Sequence, residues 1–229
     1  MRKSLTEYPN LTSFRRQLDL AGKLTYQHRF IEGTEKTTLL LLHGTGGDED
    51  SMLSLGRMIS RRSSLLSPRG KGVENGMPRF FRRFGEGVFD IEDLKFRSSE
   101  LADFVKEASA VYNFDVKAVI AVGYSNGANI AASIIILQLF RFAGTILFRP
   151  MVPLVPSNFP SLERFQVFVA AGHLDEIVPQ ADTERLVTLF RRAGAEVTLS
   201  WQPGGHELNS EEVERAKEWF DSKFLLGQQ

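Results

Sequence analysis

The chain has 229 residues and a mass of 25.8 kDa, a size at which an α/β sequence commonly folds as one domain. With 42% hydrophobic and 24% charged residues, its composition is globular rather than disordered or fibrous. Lys plus Arg and Asp plus Glu are both 28, so the formal net charge of zero disfavours nucleic acid as a partner. Because the chain has no cysteine, disulfides, thiolate nucleophiles and thiolate metal sites are excluded.

Two segments bear on where the protein resides. Met1 to Asn10 is polar and lacks the apolar region of a signal peptide, so we expect a cytoplasmic protein. Residues 118–140 carry no charge and are numerous enough to span a bilayer. Polar residues interrupt that stretch, however, and a glycine-flanked serine within it predicts a turn between two buried elements. We therefore expect no membrane span.

Apolar runs alternate with helical patterns along most of the chain. The first long run, Thr37 to Leu42, does not alternate with polar residues, as expected of a strand covered on both faces of a parallel sheet. Strands are predicted at residues 37–42, 63–67, 118–122, 144–148, 166–170 and 196–201, and helices at 51–60, 100–112, 126–139, 180–193 and 210–224. This order specifies an α/β fold, a mostly parallel central sheet with helices on both faces.

The loop after the first strand reads His43-Gly44-Thr45-Gly46-Gly47 and continues as Asp48-Glu49-Asp50. Its glycines favour a flexible backbone with accessible N–H groups. A phosphate-binding loop would also need a lysine followed by Ser or Thr, which this sequence lacks at that spacing. The three acids precede the first predicted helix, where we expect them to complement the helix dipole.

Residues 69–97, which we call the cap segment, break the alternation of strand and helix. The segment is rich in glycine and arginine and contains several phenylalanines. Loops of this length inside a compact domain are commonly functional lids, and the phenylalanines argue against disorder. We therefore expect a single domain over residues 1–229, with the cap segment as an excursion from it.

The segment Gly123-Tyr124-Ser125-Asn126-Gly127 matches the pattern Gly-x-Ser-x-Gly between an apolar strand and an apolar helix. A nucleophile elbow needs this context, because its strand-to-helix turn is so tight that the positions two before and two after the serine must lack bulk. Such a turn exposes Ser125 Oγ and places the Asn126 N–H at a helix N-terminus, where an oxyanion would form. The sequence therefore predicts Ser125 as a nucleophile.

A serine nucleophile needs a base, and four histidines compete for that role. His28 lies in an alternating segment typical of a strand, and His43 ends the first buried strand, where packing is the expected role. His206 follows the last predicted strand, in the order serine, acid, histidine that hydrolases with this elbow share. His173 precedes the candidate acids and would reverse that order. We therefore predict His206 as the base.

The predicted acid is Asp175, which follows the strand at residues 166–170 in a glycine-containing turn. Glu176 is its neighbour and rival, but the apolar pair and proline after it favour a buried Asp175 and a solvent-facing Glu176. Asp182 and Glu184 fit the charged first turn of the next helix.

A second oxyanion donor is expected from the loop after the first long strand, and the Thr45 N–H is the best candidate. A metal site is not predicted, because His206-Glu207 has no second histidine four residues from the first and the four histidines are scattered.

With these motifs placed, the sequence resembles an α/β-hydrolase of the phospholipase/carboxylesterase family, which includes acyl-protein thioesterases. Residues 66–70 and 74–81 are similar to the bacterial carboxylesterase branch, which includes hydrolases associated with quinone or catechol stress. The resemblance implies a triad of Ser125, Asp175 and His206 and an oxyanion hole of the Thr45 and Asn126 N–H groups. Eukaryotic thioesterases of the family resemble one another in having Gln where this chain has Asn126, so protein depalmitoylation is not carried over.

The resemblance implies a serine hydrolase that cleaves carboxylic esters through an acyl-enzyme and needs no cofactor. A thioesterase or lysophospholipase acting on longer acyl chains stays open as an alternative, as does a non-catalytic small-molecule binder on the same fold. The expected partner is a small-molecule ester, and the sequence leaves the oligomeric state open, a homodimer included.

The cap segment is expected to lie over Ser125 and to restrict the acyl group to a short or compact one, because ligands bind at the carboxyl edge of open α/β sheets. Its candidate pocket residues are Arg69, Phe80 and Phe81, with Phe84 and Phe89 completing an apolar cover. Its arginines, which also include Arg79, Arg82 and Arg83, either favour an anionic substrate or form a solvated face balanced by the acidic helix at residues 211–221.

Overall fold

The three-dimensional structure is a computed structural model that describes residues 24–225. Met1 to Asn10, on which the expectation of a cytoplasmic location depends, lies outside the described residues. The part of the chain that the structure describes contains the strands β1 (His28–Ile31), β2 (Thr38–Leu42), β3 (Ser64–Pro68), β4 (Gly72–Glu74), β5 (Met77–Arg79), β6 (Arg83–Gly85), β7 (Val88–Phe89), β8 (Val119–Tyr124), β9 (Gly144–Phe148), β10 (Gln166–Gly172) and β11 (Glu196–Gln202).

Seven strands form the central sheet in the order β1-β3-β2-β8-β9-β10-β11. Strand β1 pairs antiparallel with β3, and the other six strands are parallel to one another. All five residues of β2 are buried, as their uninterrupted apolar character predicts for a strand covered on both faces. The carboxyl ends of the parallel strands therefore meet at one edge of the sheet.

Within the described residues 24–225, five α-helices cover the sheet: α1 (Leu53–Ile59), α2 (Ile91–Tyr112), α3 (Asn126–Ile136), α4 (Gln180–Arg192) and α5 (Ser210–Phe220). The core has two parts, one on each face. Leu40 and Leu42 pack with residues of α2, α3 and α4, whereas Leu39 and Leu41 pack with residues of α1 and α5. This period of two is that of a strand between two helical layers, so the predicted α/β architecture is confirmed.

The uncharged stretch at residues 118–140 divides into β8 and α3, and α3 has only 11 residues. Every residue of α3 is buried, which explains its apolar composition without a lipid environment. No helix among residues 24–225 combines the length and the apolar character that crossing a membrane requires.

The cap segment is more regular than the sequence suggested. It contains two antiparallel hairpins, β4–β5 and β6–β7, and α2 begins at Ile91 rather than at the expected residue 100. The sequence pattern did not reveal the early start, because residues 91–100 of α2 bury only Leu94 and Ser98, and one of these is polar. Asp90 caps the helix by accepting the Asp93 N–H at 3.1 Å.

The acids after the glycine-rich loop do not lie in the first turn of α1, so their expected role as helix caps is wrong. Asp48 Oδ1 accepts the N–H groups of Asp50 and the following serine, which folds the loop on itself. Glu49 pairs with Arg69 at 2.5 Å. Asp50 pairs with Arg29 of β1 at 2.7 Å. These carboxylates therefore join the loop to the edge strand and to the start of the cap segment.

The phenylalanines of the cap segment do not form one exposed cover. Phe80 and Phe81 are fully buried in the core beneath α2 and α3, and Phe81 contacts Phe89 edge to face. Phe84 is 77% exposed. The expectation that Phe80 and Phe81 line a pocket is corrected, since residues with no accessible surface anchor the segment instead of contacting a ligand from solvent.

The carboxylates that pair with the arginines at residues 69–83 lie in the cap segment and the adjoining loop, not in the acidic helix α5. Arg79 and Arg83 both pair with Glu74, and Arg82 pairs with Asp90 at 2.9 Å. Arg69 pairs with Glu49, as described above. The expected balance by the acidic helix is therefore wrong. A role toward an anionic substrate stays a prediction, because Arg79 and Arg83 share the single carboxylate of Glu74 and Arg82 is 65% exposed.

The cap of α2 provides a test of the fold. Asp90→Ala removes the side-chain acceptor at the helix N-terminus and its pair with Arg82, so we expect the free energy of unfolding to fall by about 1–2 kcal/mol. Asp103→Ala, on the exposed face of the same helix, should change it by less than about 0.5 kcal/mol. Urea unfolding of both variants measures the difference, and equal values would mean that Asp90 does not cap α2.

Candidate active site

Ser125 occupies a sharp turn between β8 and α3. Its backbone lies at φ 51° and ψ −113°, a region that residues other than glycine rarely adopt. The Ser125 N–H donates to the Phe148 carbonyl at the end of β9, at 2.8 Å. The turn is therefore held by the neighbouring strand, and strain of this kind is typical of functional sites.

Two glycines make this turn sterically feasible. A Cβ atom at Gly123 would lie 2.6 Å from the Ala128 Cα and from the Gly127 oxygen. A Cβ at Gly127 would lie 2.0 Å from the Leu42 carbonyl oxygen, inside the backbone of β2. Any side chain at either position would push α3 away from the sheet. Close packing of α3 therefore explains why the motif has glycine at both positions.

The structure brings Ser125, His206 and Asp175 together, although up to 81 residues separate them in the sequence. His206 Nε2 lies 3.0 Å from Ser125 Oγ, and His206 Nδ1 lies 2.8 Å from Asp175 Oδ2. The Asp175 side chain is 1% exposed and that of His206 18%. A buried carboxylate thus contacts one nitrogen of the imidazole and can fix the orientation of the ring, while the other nitrogen faces the serine hydroxyl and can accept its proton.

The rival residues lie elsewhere. Asp175 Oδ1 accepts the N–H groups of Ile177 and Val178, both at 2.9 Å, which fixes the carboxylate in its turn. Glu176 is exposed. His173 is also exposed and stacks on Trp201, with ring centroids 4.8 Å apart.

The two candidate oxyanion donors approach Ser125 from two elements. Asn126 begins α3, where the first N–H groups have no acceptor within the helix. The Gly44-Thr45 loop lies against the nucleophile, because a Cβ at Gly44 would be 3.6 Å from the Ser125 Cβ. Among the described residues 24–225, no acceptor is bonded to the Thr45 N–H. The oxyanion role of these two N–H groups stays a prediction.

His43 connects the loop before Thr45 to the cap segment. The Gly70 N–H donates to His43 Nε2 at 2.9 Å, so Nδ1 carries the proton and donates to the Gly44 carbonyl at 2.7 Å. The ring is 1% exposed and packs on Phe80, and burial lowers its pKa below the ordinary value for histidine. His43 is therefore a neutral structural link between two loops.

Two residues near His206 were not predicted from the sequence. The Tyr124 hydroxyl donates to the His206 carbonyl at 3.1 Å, and burial raises the pKa of that hydroxyl. Arg149, directly after β9, donates to the Gly205 carbonyl at 2.9 Å and to the Glu207 carbonyl at 2.8 Å. The available signal was a lone arginine at the carboxyl end of an apolar strand, the sheet edge where the other site residues lie.

Other features do not compete with this site. A cavity of about 460 Å³, lined in part by Phe140, Phe142 and Phe165, lies where β9 and β10 begin, at the opposite edge of the sheet. Within residues 24–225, no group of three or more His, Asp and Glu side chains is placed to hold a metal ion. The arrangement around Ser125 is therefore the candidate active site.

The sequence profile of the phospholipase/carboxylesterase family matches residues 31–223, and the chain belongs to this family. The predicted family and α/β-hydrolase fold are thereby confirmed. A hydrolase of Bacillus subtilis (strain 168), MhqD, is 47% identical over 194 residues, which cover 85% of this chain and 97% of that protein.

Solved structures give the same result. The crystal structure of a Bacillus cereus carboxylesterase is 45% identical, with a TM-score of 0.88 over 91% of this chain and 99% of that one. The structure of YahD with malic acid is 32% identical, with a TM-score of 0.83 over 87% and 100% of the two chains. Together with the family, these relatives support a hydrolase of the esterase type.

The glycine requirement of the elbow can be tested. Gly127→Ala places a methyl group against the β2 backbone, and we expect it to lower the free energy of unfolding by about 1–3 kcal/mol, the usual cost of overpacking. Gly85→Ala is the matched control, because a Cβ there meets nothing within 4 Å. Urea unfolding compares the two, and a Gly127→Ala protein as stable as the control would contradict the steric argument.

Proposed function

We propose that the protein is a serine esterase that cleaves carboxylic esters of small or short-acyl substrates through an acyl-enzyme intermediate. The observation that carries this proposal is the continuous hydrogen-bonded series from Asp175 through His206 to Ser125. The Ser125 hydroxyl is a weak nucleophile until a base accepts its proton, and His206 Nε2 lies at the distance that proton transfer requires.

In the proposed reaction, Ser125 Oγ attacks the ester carbonyl carbon while His206 Nε2 accepts the hydroxyl proton. The carbonyl oxygen becomes an oxyanion, which the N–H groups of Asn126 and Thr45 stabilise. Collapse of this intermediate breaks the bond to the alcohol, which takes the proton from His206. Water then repeats the sequence on the acyl-enzyme and releases the acid, while Asp175 keeps His206 oriented.

The oxyanion donors account for a large part of the expected rate enhancement. Removing one such donor in a hydrolase typically costs about 2.7–4 kcal/mol of transition-state stabilisation. Here both donors are backbone N–H groups, so they need no side-chain ordering at the moment of reaction. The strained turn at Ser125 and the loop fixed by His43 supply their rigidity.

The preference for a short acyl group follows from the cap segment. The Gly46 N–H donates to the Pro78 carbonyl at 2.8 Å, and the Phe80 N–H donates to Asn126 Oδ1 at 2.7 Å. Strand β5 is thereby bonded to the glycine-rich loop at residues 43–47, and Phe80, the residue after β5, is bonded to Asn126 of the elbow. Because these bonds hold the cap segment close to Ser125, we expect the space for the acyl group to be short, which favours compact acyl groups. The relative YahD was solved with malic acid, which is also a small molecule.

Replacement of the nucleophile is the direct test. Ser125→Ala should reduce ester hydrolysis by about 10⁴-fold or more and abolish fluorophosphonate labelling, because no other group replaces Oγ. The melting temperature should change little, since the hydroxyl supports none of the core. Labelling of a different serine, with hydrolysis retained in Ser125→Ala, would overturn the proposal.

The histidines form a matched pair of controls for the same assay. His206→Ala should lose hydrolysis as Ser125→Ala does, whereas His173→Ala should stay within about tenfold of the unchanged protein. Loss of hydrolysis in His173→Ala, with hydrolysis kept in His206→Ala, would show that His173 and not His206 is the base.

An ester series tests the acyl-length preference. The kcat/KM for p-nitrophenyl acetate and butyrate should exceed that for the palmitate ester by about tenfold or more, because the cap segment leaves no room for the long acyl chain. A preference for the palmitate ester, measured below its critical micelle concentration, would contradict the short-acyl proposal and favour a lysophospholipase or thioesterase activity.

A further inference from the structure

Three successive backbone carbonyls around His206 all accept hydrogen bonds from buried or half-buried side chains. Arg149 Nε donates to the Gly205 carbonyl, the Tyr124 hydroxyl to the His206 carbonyl, and Arg149 Nη2 to the Glu207 carbonyl. Loop carbonyls are commonly satisfied by water or by neighbouring backbone. Here two side chains at the ends of β8 and β9 hold the loop of the candidate base at consecutive positions.

Arg149 is an unusual residue to find in this position. Its side chain is fully buried, and its backbone adopts φ 55°, a left-handed conformation that a long side chain seldom occupies. The Arg149 N–H donates to the Ala170 carbonyl of β10 at 2.8 Å, which fixes this backbone between two strands. The conformation thus directs the guanidinium beneath the His206 loop instead of outward to solvent.

A second buried charge completes the arrangement. Glu212, in the first turn of α5, is also fully buried and accepts two bonds from Arg149, at 2.6 and 3.1 Å. The same carboxylate accepts the Asn209 N–H and so caps α5. Because α5 follows the His206 loop directly, the Arg149–Glu212 pair fixes both the loop and the helix that ends it.

Burying this ion pair is not required for stability as such. Replacing a buried pair with neutral side chains of similar volume is often neutral or stabilising, because both charges lose their hydration on folding. The guanidinium does more than match Glu212, however, since Nε and Nη2 each use a donor on the loop and Nε lies 3.7 Å from Asp175 Oδ2. The guanidinium therefore contacts both the His206 loop and Asp175, which must be aligned for proton transfer.

We propose that Arg149 is a positioning residue of the hydrolytic reaction: it holds the carbonyls on either side of His206, so that the imidazole stays aligned between Asp175 and Ser125. This inference rests on the proposed function. Arg149 does not touch the reacting atoms, and its effect is transmitted through the backbone of residues 205–207. Displacement of a catalytic group by about 1 Å can cost about 100-fold in rate, so loss of these bonds should reduce kcat.

The double variant Arg149→Met/Glu212→Gln tests this role without leaving an unpaired charge. Methionine fills the volume of the arginine stem, and glutamine retains an acceptor for the cap of α5. We expect a folded protein whose kcat for p-nitrophenyl acetate falls by about 100-fold while KM stays within about twofold, because ground-state binding is untouched. The 2.8 Å contact between His206 Nδ1 and Asp175 Oδ2 predicts a downfield Nδ1–H proton NMR signal in the unchanged protein, and this signal should broaden or disappear in the double variant.

Two further variants separate positioning from folding. Leu101→Ala, in the core on α2, should lower the melting temperature yet leave kcat per folded molecule and the His206 proton signal unchanged. Arg149→Lys keeps the charge beside Glu212 but lacks the planar fork whose Nε and Nη2 donate to the two flanking carbonyls, so we expect kcat to fall by about tenfold or more at unchanged KM. If the double variant does not fold, the lysine variant decides the question.

The proposal is overturned if a folded Arg149 variant retains kcat within about threefold and keeps the His206 proton signal, or if its loss of kcat merely follows the fraction unfolded as in Leu101→Ala. Failure of the proposed function gives a different result. The unchanged protein would then hydrolyse no ester and take up no fluorophosphonate, whereas the NMR signal, which needs no turnover, would still report whether Arg149 holds His206.

Discussion

The backbone turn at Ser125 is the constraint on which the rest of the site depends. Its φ of 51° reverses the chain between β8 and α3 so abruptly that α3 lies against the carbonyl of Leu42, with no room for a side chain at Gly127. This one conformation raises the hydroxyl above the sheet edge and places the Asn126 N–H beside it. The buried, uncharged face of α3 provides the packing energy that holds the strained turn in place.

The remaining site residues follow from the parallel sheet, because its strands end at the same edge. Loops at that edge are bonded to one another: His43 connects the Gly44-Thr45 loop to the cap segment, and Arg149 connects the end of β9 to the His206 loop. Few of these bonds involve a flexible, exposed side chain. Catalysis by positioned dipoles requires such rigidity, since an oxyanion donor or a base that must reorient loses much of its advantage.

How much the sequence could predict depends on the range of the interaction. The parallel strands and the elbow were predictable, because a buried strand needs an uncharged run and a tight turn needs small residues at Gly123 and Gly127. The hairpins of the cap segment were not, since strands of two or three residues carry too little periodicity. Arg149 was missed for another reason: its side-chain hydrogen bonds are with residues 56 and more positions away, and a single charged residue after a strand does not reveal them.

The central claim is that hydrolysis passes through an ester on Ser125. The most direct measurement is peptide mapping by mass spectrometry of enzyme mixed with p-nitrophenyl butyrate and quenched in acid during turnover. The account predicts a butyryl group on the peptide that contains Ser125, formed and lost at rates consistent with steady-state turnover. Turnover with no acylated peptide, or with the acyl group on another residue, would contradict it.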